Sequence, residues 1–172
     1  GQEEAICRRT NLAPCVEAAS YPLPEFGCLY VPSLFILREG PQNGFEFLPK
    51  PVEVSGVVGH CYMHPNLNSK GEFESKHKAN TYKKVVNMLS AFAQKGHTHL
   101  VLGAWGCGAY GNPPEAIAPL FRQALRENVW AAKFERVAFA ILRNREAVAA
   151  FTASLSSLCM AQDLQKRRKR NS

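Results

Sequence analysis

The residues whose types and spacing point most directly to chemistry lie in a glycine-rich loop. The apolar stretch Leu100–Ala104 leads into this loop, a helix follows at once, and glycines occur at positions 103, 106, 108 and 111. Gly106, Gly108 and Gly111 are predicted to take positive φ angles and to expose a row of backbone N–H groups. Such donors beside the positive end of a helix form an anion site, for which a phosphate or diphosphate is the natural ligand.

The same loop has a second interpretation, as a tight strand-to-helix connection without a ligand. It lacks the Gly-Lys-Ser/Thr ending of a P-loop and the glycine spacing of a dinucleotide-binding turn. Trp105 and Tyr110 favour the ligand site, because aromatic rings on such a loop can stack against a sugar or a base. Both interpretations stay open on the residues alone, with Trp105 expected beneath the loop and Tyr110 expected to line the cleft.

Cysteine and histidine chemistry is the next candidate. His60, Cys61 and His64 have a spacing that metal ligands can use, but no second ligand pair occurs elsewhere, so no metal site is predicted. The His-Cys pair also lacks the downstream arginine of a phosphatase loop, since position 67 is leucine. Cys107 lies on the glycine loop without a placed histidine, and it is interpreted as a small residue that fits a tight turn.

An acidic pair opens the chain. Gln2, Glu3 and Glu4 begin a helix that is predicted over residues 2–11, and acids in a first turn ordinarily complement the helix dipole. Because neighbouring helical residues point about 100° apart, the two carboxylates cannot share one face. One of them can face a cleft while the other binds backbone or solvent.

Alternating strand and helix patterns must position these residues. Strands are predicted at 29–38, 45–48, 52–58, 100–104 and 134–142, with Asn43-Gly44 as a hairpin turn and the third strand buried on both faces. Helices are predicted before Gly96, from 113 to 127 with Asn112 as N-cap, and from 144 to 157. This order predicts an α/β fold with a parallel or mixed sheet and helices on both faces.

Length and composition are typical of a globular protein with a core of its own. The chain has 172 residues, of which 46% are hydrophobic and 20% are charged. No apolar run is long enough for a membrane helix and no secretory signal opens the chain, so no membrane association is expected. The six cysteines are scattered, as is typical of reduced thiols inside a cell.

The positive charge is concentrated at the carboxyl end. Of the net charge of +7, the run Lys166–Arg170 supplies +5, which leaves +2 for the rest of the chain. The basic run is interpreted as a solvated, disordered tail, while nuclear targeting and loose nucleic-acid contact stay open. We expect no nucleic-acid binding by the rest of the chain. The expected location is intracellular, in the cytoplasm, or in the nucleus if the basic run acts as a targeting signal.

Two stretches together resemble a known family. Residues 2–8 read Gln-Glu-Glu-Ala-Ile-Cys-Arg, and residues 103–108 read Gly-Ala-Trp-Gly-Cys-Gly. They resemble the microbial-type poly(ADP-ribose) glycohydrolases, a branch of the macrodomain fold that binds ADP-ribose, and Tyr30-Val31-Pro32 and Phe139–Leu142 also fit. The resemblance covers most of residues 1–152. It implies a macrodomain-like three-layer α/β/α sandwich with a mixed sheet, incomplete at the N-terminus.

The resemblance also implies an activity and a set of site residues. The reaction would be hydrolysis of the ribose–ribose bonds of poly(ADP-ribose), which releases ADP-ribose without a cofactor or a metal. Glu4 would protonate the leaving ribose oxygen and then act as base for the incoming water, Glu3 would hold the ribose hydroxyls, and Gln2 would support the loop. The diphosphate would lie against Gly106, Cys107, Gly108, Ala109 and Gly111, with Tyr110 packed on the distal ribose. ADP-ribose, its polymer and ADP-ribosylated proteins are the implied partners.

One family feature has only a partial counterpart in this chain. The family's glycine triplet precedes Gln-Glu-Glu, whereas only Gly1 precedes Gln2 here. We therefore expect an N-terminally truncated segment of a longer protein. Its glycohydrolase domain is expected to span residues 1–158, about the C-terminal two-thirds of the fold, with the basic tail at 159–172. An ADP-ribose reader without catalysis and an inactive fragment of the fold are the alternatives.

Overall fold

The computed structural model describes residues 2–17 and 21–170, with side chains as far as residue 158. It contains two compact units, Gly1–His60 and Cys61–Ser172. Each unit carries one of the two stretches that the sequence singles out, since Gln2–Glu4 lie in the first and the glycine-rich loop lies in the second.

The first unit is built on an antiparallel pair of strands. Helices α1 (Gln2–Cys7) and α2 (Leu12–Glu17) precede strands β1 (Leu29–Arg38) and β2 (Phe47–Val58). The strands pair from Leu29 opposite Val58 to Arg38 opposite Phe47. A short 3₁₀ turn over Pro41–Asn43 ends at Gly44 with φ of 63°, so the predicted turn and returning strand are confirmed. The core of the unit contains Leu12, Val31 and Leu34.

The predicted helix over residues 2–11 was wrong in its length. Helix α1 ends at Cys7, and the Thr10 hydroxyl donates a hydrogen bond to the Ile6 carbonyl (2.8 Å) and accepts one from the Leu12 N–H (3.1 Å). Thr10 thus separates α1 from α2, a second helix that is not predicted from the sequence because Pro14 is typical of a loop. Pro14 is tolerated because it lies in the first turn of α2, where its missing N–H is not needed.

Strand β2 is one long strand, and the prediction of two separate runs was wrong. The prediction that residues 52–58 are buried on both faces was also wrong, since the side chains of Val52 and Val54 are 50% and 38% exposed. Apolar β-branched residues are favoured in a strand whether or not both faces are covered, so the apolar run predicts the strand better than its burial.

The second unit surrounds a parallel pair of strands with helices. Its elements are α3 (Ser75–Gln94), β3 (His99–Leu102), α4 (Pro114–Glu127), β4 (Arg136–Phe139) and α5 (Arg145–Arg170). The strands pair in parallel from His99 opposite Arg136 to Leu102 opposite Phe139. Most of the buried core comes from the three helices and β3, and it includes Val85, Leu89, Leu100, Ile117, Leu120, Phe121 and Phe151. Burying each such side chain contributes about 1.5–3 kcal/mol.

The α/β class predicted from the sequence is confirmed, with antiparallel pairing in one unit and parallel pairing in the other. The bounds of the last two elements differ from the prediction. Strand β4 ends at Phe139, and the α5 backbone continues to Arg170, past the predicted end at Ser157. Residues 171–172 of the predicted tail lie outside the described residues. In the described part of the chain, no helix is long and apolar enough to cross a membrane.

Candidate functional site

The glycine-rich loop, residues 103–113, connects β3 to α4 and is folded by its own backbone. The N–H groups of Trp105 and Cys107 donate to the carbonyls of Gly103 (2.9 Å) and Ala104 (3.0 Å). Further along, the N–H of Gly111 donates to Gly108 (2.9 Å) and that of Asn112 to Gly106 (3.0 Å). These four bonds fix the path of the loop before any ligand is considered.

Four backbone donors between positions 106 and 110 of the loop take no part in these bonds. Within the described part of the chain, the N–H groups of Gly106, Gly108, Ala109 and Tyr110 have no hydrogen-bond acceptor. Of the predicted binding residues in the loop, Cys107 and Gly111 use their N–H groups in hydrogen bonds within the loop. The N–H groups of the four residues just named are available to a ligand. A concave row of unpaired N–H groups at the start of a helix is suited to an anion.

The three predicted loop glycines have different structural roles. Gly106 and Gly111 take φ angles of 77° and 65°, as predicted. A Cβ on Gly106 would lie 2.7 Å from Cys61 Sγ, and one on Gly111 would lie 2.8 Å from His64 Nδ1. The prediction of a positive φ at Gly108 was wrong. A Cβ there would meet nothing within 4 Å among the described residues, so no contact within that part of the chain requires a glycine at position 108.

The side chain of Asn112 is buried and forms hydrogen bonds that stabilise the loop. The prediction that Asn112 is the N-cap of α4 was wrong. Pro113 occupies the N-cap position without a side-chain cap. Asn112 is 2% exposed, and its Nδ2 donates to the carbonyls of Tyr62 (2.8 Å), Gly106 (3.0 Å) and Tyr110 (3.3 Å). The His64 N–H also donates to the Tyr110 carbonyl (2.8 Å). The segment 61–64 thus supports the loop. The contact between Asn112 and Tyr62 joins residues 50 positions apart, and no local sequence pattern predicts it.

The thiols of Cys61 and of the loop residue Cys107 are unsuited to nucleophilic chemistry. Burial raises the pKa of both Cys61 and Cys107 to about 12. A thiol attacks as its thiolate, which such a pKa makes scarce at neutral pH. The interpretation of Cys107 as a small residue in a tight turn agrees with this environment. Among the described residues, no group of three His, Cys, Asp or Glu side chains is placed to hold a metal ion.

The two aromatic residues of the loop are both partly buried. Trp105 and Tyr110 pack against the core of the second unit. Trp105 therefore has the structural contacts that were expected of it. The expected contact of Tyr110 with a ligand stays a prediction.

The second stretch singled out by the sequence lies in helix α1. Gln2, Glu3 and Glu4 are exposed in its first turn, while Ile6 and Cys7 in its last turn pack against the core of the first unit. The chain after the helix is tied to strand β1, because the Arg9 carbonyl accepts a hydrogen bond from the Leu37 N–H (2.7 Å). The apolar end of α1 is thus anchored, and its acidic end lies at the surface.

The charge state of Glu4 follows from this exposure. A backbone hydrogen bond holds the pKa of Glu4 below its ordinary value. Glu4 is therefore a carboxylate at neutral pH, which can accept a proton. Proton donation by Glu4 requires an environment that raises its pKa, such as a nearby anion.

Comparison with solved structures reveals bacterial proteins of the same fold. The chain matches poly(ADP-ribose) glycohydrolase from Deinococcus radiodurans in complex with ADP-ribose, with 29% identity and a TM-score of 0.71, over 92% of this chain and 69% of that one. The apo form of that protein matches with 32% identity and a TM-score of 0.62, over 77% and 54% of the two chains. Poly(ADP-ribose) glycohydrolase from Thermomonospora curvata matches with 26% identity and a TM-score of 0.73, over 90% and 60%. No family model and no curated protein matches the sequence.

These matches define the class of the protein as a macrodomain-like α/β fold. In particular, the chain is similar over most of its length to the bacterial poly(ADP-ribose) glycohydrolases, which confirms the resemblance seen in its sequence.

Proposed function

We propose that this chain binds ADP-ribose through its glycine-rich loop and hydrolyses ribose–ribose bonds of poly(ADP-ribose). The observation that carries the proposal is the row of unpaired N–H groups at Gly106, Gly108, Ala109 and Tyr110. A chain of similar fold, the Deinococcus radiodurans enzyme, is known in complex with ADP-ribose. The diphosphate is the part of that ligand that fits a row of backbone donors.

The start of helix α4 supports this assignment in a specific way. The N–H groups of Ala116 and Ile117 already donate to the Pro113 carbonyl (3.0 and 3.1 Å), and Pro113 and Pro114 have no N–H. The helix therefore contributes mainly its positive dipole end, and the loop contributes the donors. Hydrogen bonds to an ionised acceptor are roughly twice as strong as neutral ones, so four such donors favour an anion over a neutral ligand.

The catalytic part of the proposal concerns helix α1. Glu4 is proposed as the general acid that protonates the leaving ribose oxygen, and then as the base that activates water. Glu3 is proposed to hold the ribose hydroxyls and Gln2 to support the adjoining backbone. Both carboxylates lie in an exposed first turn, which a substrate can reach, and their roles come from the family resemblance.

One observation favours a second candidate, an ADP-ribose reader without catalysis. The Glu4 side chain is exposed and its pKa is not raised, whereas a general acid that works at neutral pH needs a raised pKa. A reader needs only the loop donors and does not need a protonated carboxyl. The two candidates share the ligand and differ in turnover of the polymer.

The loop assignment is tested by Gly108→Val. A Cβ at this position has no neighbour within 4 Å among the described residues, and the valine methyls would add bulk beside the unpaired donors. We expect ADP-ribose affinity, measured by calorimetry, to fall at least about tenfold while Tm stays unchanged, since close backbone approach is what glycine permits. Ala132→Val, at an exposed position outside the loop, is the matched control and should change neither quantity. Unchanged affinity in Gly108→Val would show that the loop is only a turn.

A further inference from the structure

Helices α3 and α4 form a groove with an unusual charge balance. Its cavity has a volume of about 210 Å³ and is lined by Lys78 on α3 and by one face of α4 that includes Arg122, Gln123, Arg126 and Glu127. We call it the α3–α4 groove. It lies entirely within the second unit.

The groove has an excess of positive charge, because three cations and only one acid line it. In the part of the chain that the structure describes, Lys78, Arg122 and Arg126 form no ion pair and no side-chain hydrogen bond. The Glu127 carboxylate accepts hydrogen bonds from Gln123 Nε2 (2.9 Å) and from the hydroxyl of Tyr82 (3.4 Å). Three positive charges therefore face one carboxylate that neutral donors hold in place.

The spacing of residues on α4 brings two of these cations to one side of the helix. Arg122 and Arg126 are four residues apart and thus lie on the same face of the helix. Guanidinium groups bind phosphate oxygens through paired N–H donors, and a lysine adds a point charge. We propose that the α3–α4 groove is a second phosphate subsite, which binds a phosphate group of an ADP-ribose polymer. This inference rests on the proposed function.

The distance along α4 separates this subsite from the glycine-rich loop. Arg122 and Arg126 follow Pro114 by eight and twelve residues, which corresponds to roughly 12 and 18 Å at 1.5 Å per helical residue. A ligand that occupies both places must therefore reach beyond a diphosphate held at the loop. The groove is expected to affect the binding of polymer and not of ADP-ribose.

The lining also distinguishes this ligand from single-stranded RNA. None of the residues that line the groove is aromatic, whereas sites for single strands combine cations with rings on which bases stack. Apart from the run Lys166–Arg170, the chain carries a net charge of only +2. The groove is thus a local phosphate site and not part of an extended basic surface.

The experiment compares two charge-matched triple variants of the whole chain. One variant carries Lys78→Gln, Arg122→Gln and Arg126→Gln, and the control carries Lys133→Gln, Arg136→Gln and Arg145→Gln at exposed positions outside the groove. We expect the groove variant to bind an ADP-ribose oligomer about tenfold more weakly than the control. In a plot of the logarithm of the association constant against the logarithm of the salt concentration, the slope for the groove variant should be shallower than that of the control. The difference should be about 0.7 for each phosphate that the groove no longer binds. Affinity for ADP-ribose should be equal in both. Equal oligomer affinity in the two variants, or an equal reduction for an RNA of matched phosphate number, would overturn the inference.

A second measurement separates this inference from the proposed function. Pyrophosphate is titrated into the wild-type chain, while NMR follows the side-chain Nε–H signals of Arg122 and Arg126 and the amide signals of Gly106, Gly108 and Ala109. Shifts at the arginines support the groove whatever the loop does. Shifts at the loop amides alone would overturn the groove and leave the proposed function standing. Shifts at the arginines alone would leave the groove and overturn the proposed loop site.

Discussion

At the scale of single residues, the protonation of Glu4 decides between an enzyme and a reader. In the described structure the pKa of this carboxyl lies below its ordinary value, because a backbone hydrogen bond favours the carboxylate. A folded-state pKa that is depressed keeps the carboxylate ionised to lower pH than in an unfolded chain. Catalysis as a general acid then requires that bound substrate raise the pKa, as a neighbouring phosphate and desolvation both do.

The substitution Glu4→Gln tests this requirement. Glutamine keeps the size and a hydrogen-bond donor but cannot deliver a proton, so we expect polymer hydrolysis to fall about 10²-fold or more while ADP-ribose affinity is retained. In the wild type, the pH profile of kcat should show a higher pKa than that of kcat/KM, because kcat reports the complex and kcat/KM reports the free protein.

Glu3→Gln is the control for that experiment. A residue that only orients ribose should lose less activity than one that transfers the proton. Full hydrolysis by Glu4→Gln would remove the proposed mechanism and leave the reader as the better interpretation.

At the scale of elements, the position of the glycine-rich loop depends on a contact outside it. Asn112 ties two loop carbonyls to the carbonyl of Tyr62 through a single buried amide. The Oδ1 atom of Asn112 is buried without a hydrogen-bond partner in the described part of the chain. An amide side chain at this position therefore has an energetic cost. This cost indicates that the Nδ2 hydrogen bonds are important for the loop.

Asn112→Ala should therefore loosen the loop and destabilise the second unit. Loss of buried hydrogen bonds that leaves their acceptors unpaired costs about 1–3 kcal/mol, so we expect the free energy of unfolding in urea to fall by about that amount. ADP-ribose affinity should fall as well. Asn43→Ala, at an exposed position with one long hydrogen bond of 3.4 Å to Glu39, should cost less than about 0.5 kcal/mol. Equal stability of the two variants would contradict the role assigned to Asn112.

The elements themselves could be predicted from the sequence, but the contacts between them could not. The hairpin turn at Gly44 and helix α4 follow from local patterns, namely a turn dipeptide and apolar residues at helical spacing. Asn112 acts in part through Tyr62, 50 positions away, and local patterns do not encode such a partner. At Gly108 the local pattern predicted too much, because this glycine does not take the predicted positive φ angle. Among the described residues, no contact requires its small size. The row of exposed N–H groups was predicted from the glycines, but the structure corrects its members, because the Gly111 N–H donates to Gly108 whereas those of Ala109 and Tyr110 have no acceptor among the described residues.

At the scale of the whole molecule, most of the net positive charge lies far along the chain from the residues of the proposed ADP-ribose site. The run Lys166–Arg170 supplies +5 of the net charge of +7. The loop donors and the acids of α1 lie far from this run in sequence. We propose that the basic run acts independently of ADP-ribose binding, either in loose contact with nucleic acid or in nuclear targeting.

Replacing all five residues of the run by glutamine tests this independence. Because the change lowers the net charge from +7 to +2, non-specific binding to a DNA oligonucleotide at low salt should be lost, since that binding is almost entirely electrostatic. ADP-ribose affinity and Tm should stay within the error of the wild type. The matched control replaces five cations that are exposed elsewhere, namely Lys50, Lys70, Lys76, Lys133 and Arg145. It has the same net charge, and because scattered cations do not form one binding surface, it should keep most of the DNA affinity. A loss of ADP-ribose affinity in the variant of the basic run, but not in the control, would place that run at the ligand.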